Sequence, residues 1–157
     1  MDSIGGTSIM TRIALNTLTV LAVLGLGLDP GVCRAQALDA QLDCKSNAHA
    51  FIAPLVSARS IDPNPMRVEA NSVNAFRPAQ GSDLTAFGFR VYAVLGYEPD
   101  DAMFKEGSGE PIKESSYGAV VIGSVEAVEA RARETGSDAV IRQVVPLFLT
   151  AIFCSGH

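Results

Sequence analysis

Apolar and polar positions alternate most regularly from Thr85 to Tyr97. Phe87, Phe89, Val91, Ala93, Leu95 and Tyr97 fall on one face, and Gly88, Arg90, Tyr92 and Val94 on the other. A period of two, rich in aromatic and β-branched residues, predicts one half-buried antiparallel strand. Val73, Ala75 and Arg77, ahead of Pro78, predict a shorter strand before it, with residues 79–83 as the hairpin turn. Tyr117 to Gly123 is a short apolar run that reads as a buried strand.

A helix follows. Ser124 is placed to cap it, Glu126 sits in its first turn, and Val125, Val128 and Ala132 share a face. Glu129 and Arg133 are spaced as an i,i+4 ion pair, and Gly136 ends the run. After a Ser137-Asp138 turn, Ala139 to Val145 and Leu147 to Phe153 read as extended, with Pro146 marking an edge position or a bulge. Nearer the N-terminus, Ala48, Phe51, Ile52 and Leu55 have helical spacing, but Pro54 disfavours helix at Ala53, so a short helix ahead of Pro54 is expected. Asp62-Pro63-Asn64-Pro65 is a turn or linker, and no internal repeat or low-complexity tract is visible. Together these elements predict a small single α+β domain, an antiparallel or mixed β-sheet with one or two helices packed on one face.

The first 37 residues account for much of the apolar content. Arg12 gives a positive start, Ile13 to Leu28 is a mostly apolar stretch, and Asp29-Pro30-Gly31 breaks it. Ala35-Gln36-Ala37 is a small-x-small cleavage pattern, so residues 1–37 read as a cleavable signal peptide and 38–157 as the domain. The apolar stretch is short of the roughly 20 residues a membrane span needs, so no stable membrane anchor is expected after cleavage. Val32 is too bulky for Cys33 to be a lipid-attachment site. Met10-Thr11-Arg12 makes a cleaner positive start than Met1, where Asp2 cancels Arg12, which favours Met10 as the translation start. Cleavage leaves 120 residues and two of the three cysteines, Cys44 and Cys154. In an oxidising compartment a lone distant pair is read as one disulfide closing the domain. No Asn-x-Ser/Thr sequon occurs, which favours a bacterial periplasm, or secretion to the medium, as the location.

Charge narrows the function classes. With 12 basic and 17 acidic residues and a net charge of −5, the chain lacks the clustered basic face of a nucleic-acid binder. It holds no nucleophile-elbow, zinc-protease or Cys-x-x-Cys motif, and Gly107-Ser108-Gly109 lacks the lysine and helix of a phosphate loop. No catalytic residue, cofactor or metal is therefore assigned. Two weaker constellations exist. Cys44, His49, Cys154 and His157 would suit zinc if the thiols stayed reduced, and Glu98, Asp100 and Asp101 are acids without the spacing of a calcium loop.

The segment 98–116 stands out. It carries six acids against Lys105 and Lys113, a net −4, and so holds most of the negative charge of the chain. Glu98, Asp100, Asp101, Met103, Phe104 and Ile112 make it the candidate interaction loop: apolar anchors among acids that steer a basic surface. The expected function is that of a small exported module that binds a ligand or another envelope or host protein. A small extracytoplasmic hydrolase using His49 as base is the alternative, and a structural envelope component a third.

Overall fold

The alternation from Thr85 to Tyr97 does not run unbroken: it folds back on itself at Phe87 and Gly88. In the computed structural model, which describes residues 35–155, Leu84–Ala86 (β4) and Phe89–Tyr97 (β5) are two strands, with Ala86 paired to Phe89. Phe87 (φ 50°) and Gly88 (φ 83°) form the two-residue turn. Positive φ at both central positions is the type I′ geometry that matches strand twist. Gly88 adopts it freely. Phe87 is held there by burial of its ring and by its N–H donating to Asp39 Oδ1 at 2.8 Å.

The remaining strands are Gln36–Ala37 (β1), Arg67–Val68 (β2), Asn74–Phe76 (β3), Ser116–Ile122 (β6), Val140–Val145 (β7) and Leu149–Ser155 (β8). They form a mixed eight-stranded sheet in the order β1-β4-β5-β6-β8-β7, with β3 also alongside β5 and β2 beside β3. Only β1 and β4 run parallel among the described pairs. β3 and β4 pair with opposite ends of β5, at Gly96–Val94 and at Arg90–Phe89, so residues 77–83 loop out between them rather than closing a simple hairpin. A register shift between Val91 and Ala93 marks a bulge at Tyr92.

Two helices cover the sheet. Helix α1 (Ala48–Ser57) packs on β5 and β6, and α2 (Val125–Glu134) on β7 and β8. Beneath them Tyr117, Ala119 and Val121 of β6 share a buried face with Ile152 and Ile141, which lie in register with Ala119 on β8 and β7. Helix α1 continues through Pro54, against expectation. An interior proline costs about 3 kcal/mol. Burial of Ala48, Phe51, Ile52 and Leu55 on one stripe offsets it, since each large apolar side chain contributes roughly 1.5–3 kcal/mol. Helix α2 is as the sequence predicts. Ser124 Oγ accepts the Ala127 N–H, Glu129 and Arg133 pair at 2.7 Å, and Gly136 follows with φ 69°.

Cys44 and Cys154 are joined, with Cα atoms 4.9 Å apart across 110 residues of sequence. The apolar stretch of the signal reading, Arg12, Cys33 and Met10 all lie outside the described residues. Its last residues do not: Gln36 and Ala37 pair with Leu84 and Thr85. Cleavage before Leu38 would detach β1 and keep the bond from the Leu38 nitrogen to Thr85 O at 2.8 Å. Among the described residues no helix is long and apolar enough to cross a membrane.

Opening a loop of this length by Cys44→Ser with Cys154→Ser is expected to cost about 4–5 kcal/mol in the chain-entropy description. Urea unfolding under non-reducing conditions measures it, and an unchanged midpoint would show that the link adds nothing.

Candidate functional site

Each anchor of the acidic segment is a polar contact reaching across the chain. Asn74 is fully buried on β3. Its Nδ2 donates to Ser72 O and Lys105 O at 2.8 Å each, and its Oδ1 accepts the Lys105 N–H at 2.9 Å. Ser72 Oγ accepts the Gly107 N–H, Ala70 O the Gly109 N–H, and Asn71 O the Ile112 N–H. Gly107 has to be glycine, because a Cβ there would collide with the Glu69 and Ala70 carbonyls. The segment is therefore laid along residues 69–74 as an ordered strap.

Its apolar members turn inward. Phe104 is buried, edge-on to Phe76 and Tyr97 at ring-centroid separations of 6.4 and 6.3 Å. Met103 and Ile112 are half-buried against the same core. Asp100, Glu106, Glu110 and Glu114 remain exposed. The segment thus presents carboxylates outward, while the residues read as anchors pack within the domain.

Glu98 and Asp101 are tied to the N-terminus of α1. Four orphan N–H groups at a helix start need acceptors. Asn47 Oδ1 accepts from Ala50, Ser115 Oγ from Ala48 and Glu98 Oε2 from His49, at 2.8, 2.8 and 2.9 Å. A carboxylate there also complements the positive end of the helix dipole. His49 Nδ1 lies 2.6 Å from Asp101 Oδ2, and Asp101 Oδ1 accepts the Met103 N–H. Asp101 is thereby fixed at both oxygens. Burial alone would raise its pKa, but the Met103 N–H, the His49 hydrogen bond and the His49 charge together outweigh that and hold it below its ordinary value.

An aspartate orienting an imidazole is two-thirds of a Ser–His–Asp array. No serine or threonine hydroxyl hydrogen-bonds His49 among the described residues, and Ser115 Oγ is engaged by Ala48 and Glu98. Glu98, Asp100, Asp101 and Glu106 line a shallow cavity of about 360 Å³. Among the described residues no cluster of three or more metal-ligating side chains is assembled. Of the zinc constellation, Cys44 and Cys154 are consumed by the disulfide, and His157 lies outside the described residues.

One surface escaped the sequence reading. β7 and β8 meet in a turn at residues 146–148, where Leu147 (φ 64°) is 75% exposed and Phe148 67%. Val144 and Val145 beside them are also exposed. The tip is tied to the end of β6: the Gly123 N–H donates to Phe148 O and Thr150 Oγ1 to Gly123 O. The clue was Pro146, which marks a turn between two apolar runs. No family model, curated protein or solved structure matches the chain.

Asp101→Asn is expected to cost at most about 1 kcal/mol at neutral pH, the scale of one solvent-exposed charged hydrogen bond. Because the folded pKa is depressed, this contribution is complete above about pH 4 and is lost as pH falls through the lower folded value. Urea midpoints of wild type and variant should converge in acid; a gap that widens there would refute the pairing.

Proposed function

We propose that this chain is an exported, disulfide-closed binding module whose partner is another envelope or host protein. The observation that carries the reading is the exposed apolar tip of the β7–β8 hairpin. Two large apolar residues held out in water beside two exposed valines gain nothing from folding, and such patches mark contact surfaces. β7 is also the outermost strand of its sheet edge. Its free edge can accept an extended segment of a partner through backbone hydrogen bonds, with Leu147 and Phe148 as side-chain anchors. Residues 139–155 carry one charge, Arg142, whereas the outward carboxylates of 98–116 supply long-range steering. The disulfide supports export, since such links persist in oxidising compartments.

A second reading, a small hydrolase with His49 as base, draws on the His49–Asp101 pair. Among the described residues no nucleophile lies in hydrogen-bond reach of His49, and so this reading ranks second.

Immobilised protein bearing Leu147→Ser with Phe148→Ser should lose the partners that wild type retains from envelope extracts, with affinity lowered at least about tenfold. Equal retention by both would sink the hairpin as the contact surface. The hydrolase reading is decided separately: His49→Ala should leave any turnover of ester or peptide substrates unchanged, and abolished turnover would promote that reading over binding.

A further inference from the structure

A cavity of about 560 Å³ opens between the looped-out residues 77–83 and β5, away from the acidic strap and outside the hairpin tip. Its size is that of a small-ligand site. Its wall is preformed. The Ala79 N–H and Ser82 Oγ both donate to Ser60 O, the Asp62 N–H donates to Arg77 O, and Ile61 bridges Pro78. Arg77 and Arg90 line it, and neither makes an ion pair or side-chain hydrogen bond among the described residues. No acid is among the lining residues. In a chain of net charge −5, two exposed arginines without an ionic partner among the described residues line this cavity. Beside them stand Tyr92, Ile122 and Met66, each a partly exposed apolar surface. Tyr92 is presented by the bulge between Val91 and Ala93, a device that re-aims a side chain out of the regular alternation.

We propose that this cavity binds a small amphipathic anion, its carboxylate paired with Arg77 and Arg90 and its apolar chain laid on Tyr92, Ile122 and Met66. Guanidinium suits the head group because its planar fork matches a carboxylate with two parallel hydrogen bonds. The half-exposed apolar groups suit the tail, which removes them from water together with itself.

Octanoate is the probe. Titrated into ¹⁵N-labelled protein, it should shift the amides of Arg77, of residues 79–82 and of residues 90–92 saturably. Arg77→Gln with Arg90→Gln should weaken binding at least about tenfold, the worth of one charge-assisted hydrogen bond. Uncharged 1-octanol should bind wild type more weakly by a similar factor, and Leu147→Ser with Phe148→Ser should bind octanoate as wild type does. Shifts centred on the 146–148 turn, equal binding of octanol and octanoate, or affinity that survives loss of both arginines would each overturn the proposal. The amide spectrum itself reports that the variants are folded.

Discussion

The Cys44–Cys154 link holds the first part of the domain against its last strand, and the contacts of the N-terminal segment gather around that closure. Cys154 lies in register with Tyr117, whose hydroxyl accepts the Ser46 N–H at 3.1 Å and whose ring meets Phe51 of α1 at 4.9 Å. Burial pushes the Tyr117 phenol up, against the Ser46 hydrogen bond and with the Asp43 charge, so it stays neutral here. The segment before Cys44 brings in Leu38 and Leu42, both fully buried, and Leu42 O accepts from Ser137 Oγ beyond α2. Asp39 in turn holds the Phe87 turn. A short N-terminal stretch thus touches the β4–β5 turn, the end of α2 and the end of β8. Without a covalent tie, ordering that stretch would rest on two leucines and a few hydrogen bonds alone.

Much of this architecture was legible where the signals are local. Helix α2 is specified by Ser124, Glu129, Arg133 and Gly136 within a few residues of each other, and all four act as their spacing implies. The disulfide was legible because reading residues 1–37 as a signal leaves only one pairing, Cys44 with Cys154. Local signals failed where a tertiary contact overrides them. Phe87 continues the alternation perfectly; its burial and the Asp39 acceptor, 48 positions away, hold it in the turn that Gly88 permits. Pro54 should end α1, yet the buried stripe around it carries the helix on. The candidate site divides in the same way. The acidity of 98–116 is plain in the sequence, whereas its role as a strap depends on Asn74, 31 positions from Lys105, and on His49, 52 positions from Asp101.

The outcome is a redistribution of surface chemistry. Carboxylates that look available in the sequence are partly spent on capping α1 and fixing His49, and the apolar residues among them become core. Two other surfaces take over the unsatisfied character: an apolar tip at residues 146–148 and a cationic, partly apolar cavity around Arg77 and Arg90. Both are tied to the sheet by hydrogen bonds, at Phe148 O and at Ser60 O. Among the described residues no buried side-chain nitrogen or oxygen lacks a partner. A surface ordered in advance lowers the ordering cost of any association.

The disulfide also has a history within each molecule. Synthesis runs from the N-terminus, so the Cys44 thiol emerges long before Cys154, which is 110 positions later. In that interval the thiol nearest in sequence is Cys33, only eleven positions upstream and within the residues read as the signal. A short loop between those two would close faster than the native one. Under the export proposed above, removal of residues 1–37 before the last strand arrives would take that competitor away, leaving a chain with one thiol waiting and one correct partner still to come. On that proposal the odd cysteine is a reason for processing to precede oxidation, and the order of two covalent events would become part of how this sequence reaches its fold.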